Sequence, residues 1–443
     1  MEQNSIAKEF TLPALIRFTL PTILMLVFVS TYTIVDGIFV SRFVGTTALS
    51  AMNIVFPLIN ILIGLGIMLG TGGSAIIGRR LGEGKDAEAR SAFTLIVLFG
   101  ILVSLGISIL CLLWIAPLSR FLGADENLLP YCIEYGRVMM AFYSISVVQT
   151  MFQTLFITAG KPHLGLWLNV GAGISNILFD YIFIVLLDMG ISGAAWGTVT
   201  GFLIGGLPAL VYFSKPRTVL YFVKPQWNSS TIFHTLSNGC SEMVTSAAMA
   251  VTTFLFNQAM LRLLGEDGVA AITIVLYAQF LFTSAYLGFA SGAAPIFSYN
   301  YGNQNLPQLQ RLFRMCLGII LLSSVVCFGI SYLLAVPTIA IFTPPESNTY
   351  AITLHGYHIF VWNFLFAGIN IFASSFFTAL SNGKVSAMIS FLRTFVFVAG
   401  SILLLPLFWG IDGVWLAIPV AEGITVIFAA GLLFSQRKQY HYF

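Results

Sequence analysis

The hydrophobic residues of this chain lie in long, nearly unbroken runs, and few polar residues separate the runs. A run needs about 20 predominantly apolar residues to cross the hydrocarbon core of a bilayer as an α-helix. Twelve segments meet this criterion, and an even number of crossings places both termini on one side of the membrane. The predicted spans lie near residues 13–40, 47–77, 91–117, 130–159, 163–187, 190–213, 232–263, 268–300, 309–342, 350–380, 385–408 and 411–434.

The length of these runs also decides the fold class. Strands of a transmembrane barrel would read as segments of about ten residues with alternating polarity. The sequence instead predicts an all-α integral membrane protein with no room for a separate catalytic domain outside the membrane. The first apolar run is too long for the core of a signal peptide, so we expect it to be retained as the first span.

The second half of the chain repeats the first at an offset of 220 residues. GTGGSAIIGRRLG (70–82) aligns with ASGAAPIFSYNYG (290–302), and MGISG (189–193) aligns with WGIDG (409–413). Because each half holds six spans, both halves have the same orientation, and their pseudo-twofold axis runs along the membrane normal. We predict two six-helix bundles, residues 1–213 and 231–443, joined by a cytoplasmic connector at 214–230.

The composition excludes several classes of protein. The chain is 58% apolar and 8% charged, whereas an average soluble domain carries about a quarter charged residues. Its net charge of +3 comes from scattered basic residues, which gives no support to nucleic-acid binding. The five cysteines lie too far apart for a redox motif or a zinc site.

The distribution of basic residues predicts the orientation. Of the 20 lysines and arginines, fifteen fall on the side that carries both termini, four fall on the other side, and one lies within a span. By the positive-inside rule, both termini are cytoplasmic.

Ionisable residues inside the spans are candidates for function, because lipid does not tolerate them without a partner or water. Asp36 lies in TIVDGIFV of the first span, and Asp180 lies in the fifth span, four residues after Asn176 on the same helical face. Their oxygens would bind a small cation or share a proton. The alternative is a structural role in which the aspartates only bond to neighbouring helices. A catalytic metal is disfavoured because no histidine accompanies them.

Three further charges lie in the second half. Glu242 in the seventh span is predicted either to attract a cation or cationic ligand, or to cap a backbone break near Gly239. Arg393 and Glu422 lie on the last two spans, which should be adjacent, so we expect a buried ion pair that fixes the second bundle; the alternative is a role in transport.

Uncharged residues at similar depth are predicted to line a path for flat, lipophilic ligands. This group comprises Tyr32, Asn53, Gln149, Gln153, Asn257, Gln258 and Met260.

With these features the chain resembles the multidrug and toxic compound extrusion family over nearly its whole length, and its bacterial multidrug exporters in particular. The matching features are Asp36, Pro21 fifteen residues before it, the Asn176-x-x-x-Asp180 pair, Thr198 in GAAWGT and the repeated glycine segments. The resemblance implies a bacterial cytoplasmic membrane protein with a V-shaped pair of bundles. It implies a coupling-ion site at Asp36, Asn176, Asp180 and Thr198, with the first span bending at Pro21. The tenth span departs from some relatives because it carries Asn363 and Asn370 but no carboxylate.

The function expected from this resemblance is antiport by alternating access, in which small organic cations leave as sodium or protons enter. The oxygens of Asn176 and Thr198 favour sodium over protons. We expect a monomer without a cofactor or enzymatic activity, with lipid and small organic cations as its partners. The alternative functions are a flippase for lipid-linked precursors, which usually needs a cationic cavity, a membrane-embedded enzyme, for which no motif is present, and a channel.

Overall fold

The computed structural model describes residues 5–44, 46–216 and 219–443, and every regular element in these ranges is helical. Short 3-10 turns occur at Ser5–Ala7 and Val361–Asn363, and π-helical segments occur at Tyr181–Leu186 and Leu392–Val398. The α-helices are α1 (Leu12–Phe43), α2 (Thr46–Gly82), α3 (Asp86–Leu113), α4 (Ile115–Phe121), α5 (Leu129–Ala141), α6 (Tyr143–Thr158), α7 (Pro162–Asp180), α8 (Gly190–Phe213), α9 (Ser229–Gly302), α10 (Leu306–Leu333), α11 (Ala335–Ala340), α12 (Asn348–Phe360), α13 (Phe364–Ala379), α14 (Gly383–Phe391) and α15 (Ala399–Tyr440).

The helices account for twelve membrane crossings. Within the described ranges, nine helical stretches are long and apolar enough to span a bilayer, and the bent pair α5–α6 brings the number to ten. Two of these stretches, Ser229–Gly302 and Gly383–Tyr440, contain 74 and 58 residues, and each is long enough for two spans. Each is interrupted by a glycine with positive φ, Gly265 at 67° and Gly410 at 55°. The prediction of twelve spans is therefore confirmed.

The span expected at 130–159 is not a single helix. The structure divides it into α5 and α6, which meet at 56°. The hydroxyl of Ser108 donates a hydrogen bond to the carbonyl of Met140, just before the bend, and Phe142 has non-helical dihedral angles. Because Ser108 lies on α3, this bond ties the bend to a neighbouring helix, a constraint that periodicity within one segment does not reveal.

The 220-residue repeat is visible in the backbone. Gly190 and Gly410, which occupy equivalent positions in the two halves, have φ values of 57° and 55°. These angles favour glycine because other L-residues meet steric conflict there. Gly45, the counterpart of Gly265, lies outside the described residues.

The described residues near both ends of the chain lie at one end of the molecule, which we call the basal end. The Gln308 side chain, near the start of α10, donates to the carbonyl of Phe10 at 3.4 Å. Gln310 donates to the carbonyls of His441 and Phe443, both at 3.0 Å.

The two halves meet at the basal end through a reciprocal contact of glycines. A Cβ atom on Gly82 would lie 2.0 Å from the carbonyl oxygen of Tyr299, and one on Gly302 would lie 2.1 Å from that of Arg79. The two contacts are related by the 220-residue offset, so the pseudo-twofold axis passes between them. Arg80 reinforces the junction by donating to the Thr231 hydroxyl at 2.8 Å.

Candidate ion-binding site

Asp36 on α1 and Asp180 at the end of α7 lie together inside the first half. Their carboxyl groups are close enough to share a proton. Asp180 and Asn176 are almost completely buried, with 1% and 3% of their surface exposed. Oδ1 of Asp36, both carboxylate oxygens of Asp180 and Oδ1 of Asn176 have no hydrogen-bond donor among the described residues. Two facing carboxylates without a donor require a proton or a cation between them.

The local sequence creates the space for these oxygens. A Cβ atom on Gly197 of α8 would lie only 1.7 Å from Oδ1 of Asp180, and one on Gly201 would lie 3.5 Å from Cβ of Asn176. Gly197 therefore does more than let two helices approach, because it leaves room for the Asp180 carboxylate. Directly after Asp180 the helix widens into the π-helical segment Tyr181–Leu186, a distortion that is frequent at functional sites.

Thr198 is adjacent to Gly197, but its hydroxyl donates to the carbonyl of Ala194 at 3.1 Å on its own helix. No hydrogen bond within the described part of the chain joins Thr198 to either carboxylate. The structure therefore brings three of the four predicted ligands together and places the fourth beside them. Tyr135 on α5 is buried within electrostatic range of both carboxylates. Sequence reasoning missed it because a single tyrosine in an apolar helix gives no distinctive signal.

Two predicted path residues, Gln149 and Gln153, belong to a cluster of amide side chains. Gln149 and Gln153 donate to Oδ1 of Asn169 at 3.4 and 2.8 Å. Asn169 was not predicted, although it precedes Asn176 by seven residues and shares its helical face, a spacing that could have revealed it. Tyr32 lies near Asp36 and packs its ring beside Gly173.

The remaining predicted path residues differ in exposure. Asn53 and Gln258 are exposed, and Asn257 is half-buried. Met260 is fully buried in the packed core of the second half. Pro21 lies within α1, which continues through it from Leu12 to Phe43.

Arg393 and Glu422 form the predicted contact in the second half. Nε and Nη2 of Arg393 lie 2.9 and 2.5 Å from Oε1 of Glu422, while Asn370 donates to Oε2 at 2.7 Å. Arg393 belongs to the second π-helical segment. Arg393 and Glu422 therefore neutralise each other, unlike Asp36 and Asp180.

Glu242 faces a narrow cavity between the two halves. The expected break near Gly239 is absent, because α9 remains helical there; a Cβ atom on Gly239 would lie 1.9 Å from the carbonyl oxygen of Met68. The glycine therefore serves close packing between the halves, and the capping interpretation of Glu242 is wrong. Across the described residues, no group of three or more histidines, cysteines or acids is arranged to hold a metal ion.

Comparison with known proteins gives consistent matches. The sequence profile of the MatE family matches the chain twice, over residues 21–182 and 243–402, close to the 220-residue offset. The multidrug export protein MepA of Staphylococcus aureus is 22% identical over 435 residues, which cover 96% of this chain and 94% of that protein. MepA of Staphylococcus saprophyticus is 20% identical over 436 residues, covering 98% and 95%.

Solved structures show the same fold. An outward-facing conformation of a multidrug resistance MATE family transporter has a TM-score of 0.92 at 22% identity, covering 99% of both chains. A MOP superfamily transporter from Pyrococcus furiosus has a TM-score of 0.90 at 22% identity, also covering 99% of both. Since the family profile covers well over half of the sequence, this chain belongs to the MatE family of multidrug and toxic compound extrusion transporters.

Proposed function

We propose that this chain is an antiporter that exports small organic cations in exchange for a coupling cation. The observation that carries the proposal is the buried, donor-free set of oxygens on Asp36, Asn176 and Asp180. A structural aspartate would have donors around it, because an unpaired buried carboxylate is costly. The relatives named multidrug export protein MepA, which resemble the chain over nearly its full length, support an outward direction and drugs as substrates.

The two carboxylates provide the coupling. When they are neutralised by a cation, α1 and α7 can pack closely; when they are empty, their charges repel each other and attract a cationic substrate. A ligand shifts the balance between two conformations only if it binds them with different affinities, so the coupling ion and the substrate must prefer opposite states. Inward movement of one positive charge gains about 2.3 kcal/mol per 100 mV of membrane potential.

We favour sodium as the coupling ion. The Asn176 carbonyl oxygen is buried without a donor, and an amide oxygen can coordinate a metal cation but adds nothing to a proton shared by two carboxylates. Protons would compete with sodium for the same carboxylates. This competition predicts that acidification weakens the response to sodium.

The basal end is assigned to the cytoplasm, and the membrane to the cytoplasmic membrane of a bacterium. The basic residues Arg79, Arg80 and Lys85 lie at this end, together with both termini. Their position follows the positive-inside rule. In this orientation the structure is closed toward the cytoplasm.

The lipid-precursor flippase is less well supported. Such a protein needs free positive charge in its cavity to hold a phosphate group. Arg393 is the basic residue deepest within the predicted spans, and Glu422 neutralises it.

Transport in proteoliposomes tests the proposal. A fluorescent organic cation is driven by an imposed sodium gradient or, separately, by a pH gradient, in the wild type and in Asp36→Asn and Asp180→Asn. Both variants should lose coupled transport. The matched control is Asp188→Asn, which removes an exposed carboxylate near the end of the same span and should transport normally. Full coupling in the variant that combines Asp36→Asn with Asp180→Asn would refute the site.

A further inference from the structure

The connector between the two halves is bound to the first half. Residues 219–228 contain no helix or strand, yet their backbone forms hydrogen bonds to side chains of α3. Nε of Arg90 donates to the carbonyl of Val219 at 2.8 Å, and the N–H of Val223 donates to the hydroxyl of Thr94 at 3.0 Å. This part of the connector therefore belongs structurally to the first bundle.

Phe222 anchors the connector in the aromatic core of that bundle. Its ring stacks on the ring of Phe93 with 5.1 Å between the centroids, and its N–H donates to the carbonyl of Phe213 at 2.9 Å. Phe93, Phe213 and Leu220 are completely buried. Release of Phe222 would open a packed core, so this anchor is costly to detach.

The second half contains the same anchor at its own basal end. Tyr442 lies 220 residues after Phe222, and its ring centroid is 5.0 Å from that of Phe313. The Tyr442 hydroxyl donates to the carbonyl of Leu433 at 2.6 Å. Phe313 and Leu433 are the 220-residue equivalents of the two residues that hold Phe222. The anchor is therefore a part of each bundle, and only the residues after Val223 are specific to the connection between the halves.

Beyond the anchor, the link to the second half is short. The N–H of Gln226 donates to the hydroxyl of Ser91 at 3.0 Å, the last hydrogen bond to α3 among the described residues of the connector. α9 begins at Ser229, three residues later. Three steps between Cα atoms reach at most about 11 Å, and Asn228 is already extended, with φ −143° and ψ 99°. This tether therefore has little slack.

The tether ends where the halves separate when the basal end opens. A Cβ atom on Gly72 of α2 would lie 2.0 Å from the carbonyl oxygen of Thr235 on α9, so the two helices are in close contact near the start of α9. Opening moves α9 away from α2 and carries Ser229 away from α3. The movement pulls on the tether and, through it, on the hydrogen bond between Gln226 and Ser91.

We propose that the connector is a strap that restrains basal opening: the halves part fully only after Gln226 leaves Ser91, while Phe222 stays in place. This inference rests on the alternating access proposed above. Because the bond must break on opening, the strap stabilises the closed conformation and lowers the population of the open one. The strap shares no residue with the Asp36–Asp180 site.

The test measures basal closure directly. Spin labels are placed at Ala87→Cys and Pro307→Cys, two exposed positions related by the 220-residue offset, in the whole chain without its native cysteines. Pulsed electron paramagnetic resonance gives the distribution of distances between the labels. The short distances report closed molecules, and the long distances report open ones.

Two matched insertions locate the effect. Gly-Ser-Gly-Ser between Gln226 and Trp227 lengthens the tether, so the halves can part while Gln226 stays bound. The ratio of open to closed molecules should rise about fivefold, the factor that one ordinary hydrogen bond contributes. The control is the same insertion between Lys215 and Pro216, two exposed residues that precede the anchor. It lengthens the connector but not the tether, so equal distributions in the two variants would overturn the strap.

A second pair of variants separates the strap from a general loss of packing. Phe222→Ala detaches the anchor and lengthens the tether, so it should also increase the population with long distances. Tyr442→Ala removes the equivalent ring from the second half. It should lower the melting temperature to a similar extent and leave the label distance unchanged. A similar shift of the distance in both variants would overturn the proposal, since packing would then control closure.

The variant combining Asp36→Asn with Asp180→Asn distinguishes the strap from the coupling mechanism. The insertion after Gln226 should favour the open conformation in this background as well, whether or not coupled transport is lost. An effect of the insertion that required both carboxylates would overturn the strap. Full coupled transport in this background would refute the ion-binding site, and the effect expected of the insertion would stay the same.

Discussion

Substitution of Gly302 by alanine tests whether the basal junction holds the two halves together. The added Cβ atom would lie 2.1 Å from the backbone carbonyl oxygen of Arg79, and a backbone atom cannot turn aside as a side chain does. The helices would have to separate by roughly 1 Å to restore an ordinary contact, and overpacking of this kind costs about 1–3 kcal/mol. Separation of the halves relieves the conflict, so the cost falls mainly on the closed state.

A cost of this size lowers the ratio of closed to open molecules by about 5- to 150-fold. The distance between spin labels at Ala87→Cys and Pro307→Cys measures that ratio. Gly82→Ala should produce a similar shift, because its Cβ atom would meet the equivalent carbonyl of Tyr299 at 2.0 Å.

The control is Gly318→Ala on α10, where an added Cβ atom meets nothing within 4 Å. Alanine favours a helix over glycine by about 0.5–1 kcal/mol, so this variant should be neutral or slightly stabilised without any change in the label distance. If Gly302→Ala and Gly318→Ala gave the same distance distribution, the junction would not control closure.

Three further predictions concern other parts of the molecule. Gly197→Ala should abolish sodium-coupled transport while the protein stays folded, since its Cβ atom would occupy the position of Oδ1 of Asp180; coupling equal to the wild type would contradict this. Arg393→Leu should destabilise the protein by about 3–5 kcal/mol by leaving Glu422 buried and unpaired, and adding Glu422→Leu should recover most of the loss in a thermal melt. In the basal loop, the hydrogen bond from Lys85 lowers the pKa of Glu83, and Arg79 lowers it further. These effects are larger than that of burial, which acts in the opposite direction. The contribution of Glu83 to loop stability is therefore complete above the ordinary pKa of a glutamate and is lost as the pH falls through the lowered pKa. Amide hydrogen exchange of residues 83–85 should accelerate in acid. In Glu83→Gln the exchange rate, once corrected for intrinsic exchange, should be independent of pH.

The sequence was sufficient for the number of spans, for the repeat, and for the proximity of Asp36, Asn176 and Asp180 in the first half. Long apolar runs predict spans because a helix is the structure that satisfies its own backbone in lipid, and the Asn176–Asp180 spacing predicts a shared face. Bends, however, depend on partners elsewhere in the chain. The division at Phe142 coincides with a bond from Ser108, which lies on a different helix.

The same limit applied to side chains whose environment is set by tertiary packing. Tyr135 approaches the carboxylates from α5, and the direction of its ring does not follow from local periodicity. Met260 has the character of a ligand-binding residue, yet its position on α9 turns it into the core. In both cases the residue type left several roles open, and packing between helices selected one.

The contacts of Gly82 and Gly302 at the basal junction have the symmetry of a homodimer interface. A contact in which one segment touches its repeat, and the repeat touches the first in return, has the form made by two identical subunits around a twofold axis. In a parallel dimer of a half-length protein, one glycine position would supply both contacts, one from each subunit. In a single chain, by contrast, one of the two glycines can change without the other, and such a change disturbs only one of the two contacts.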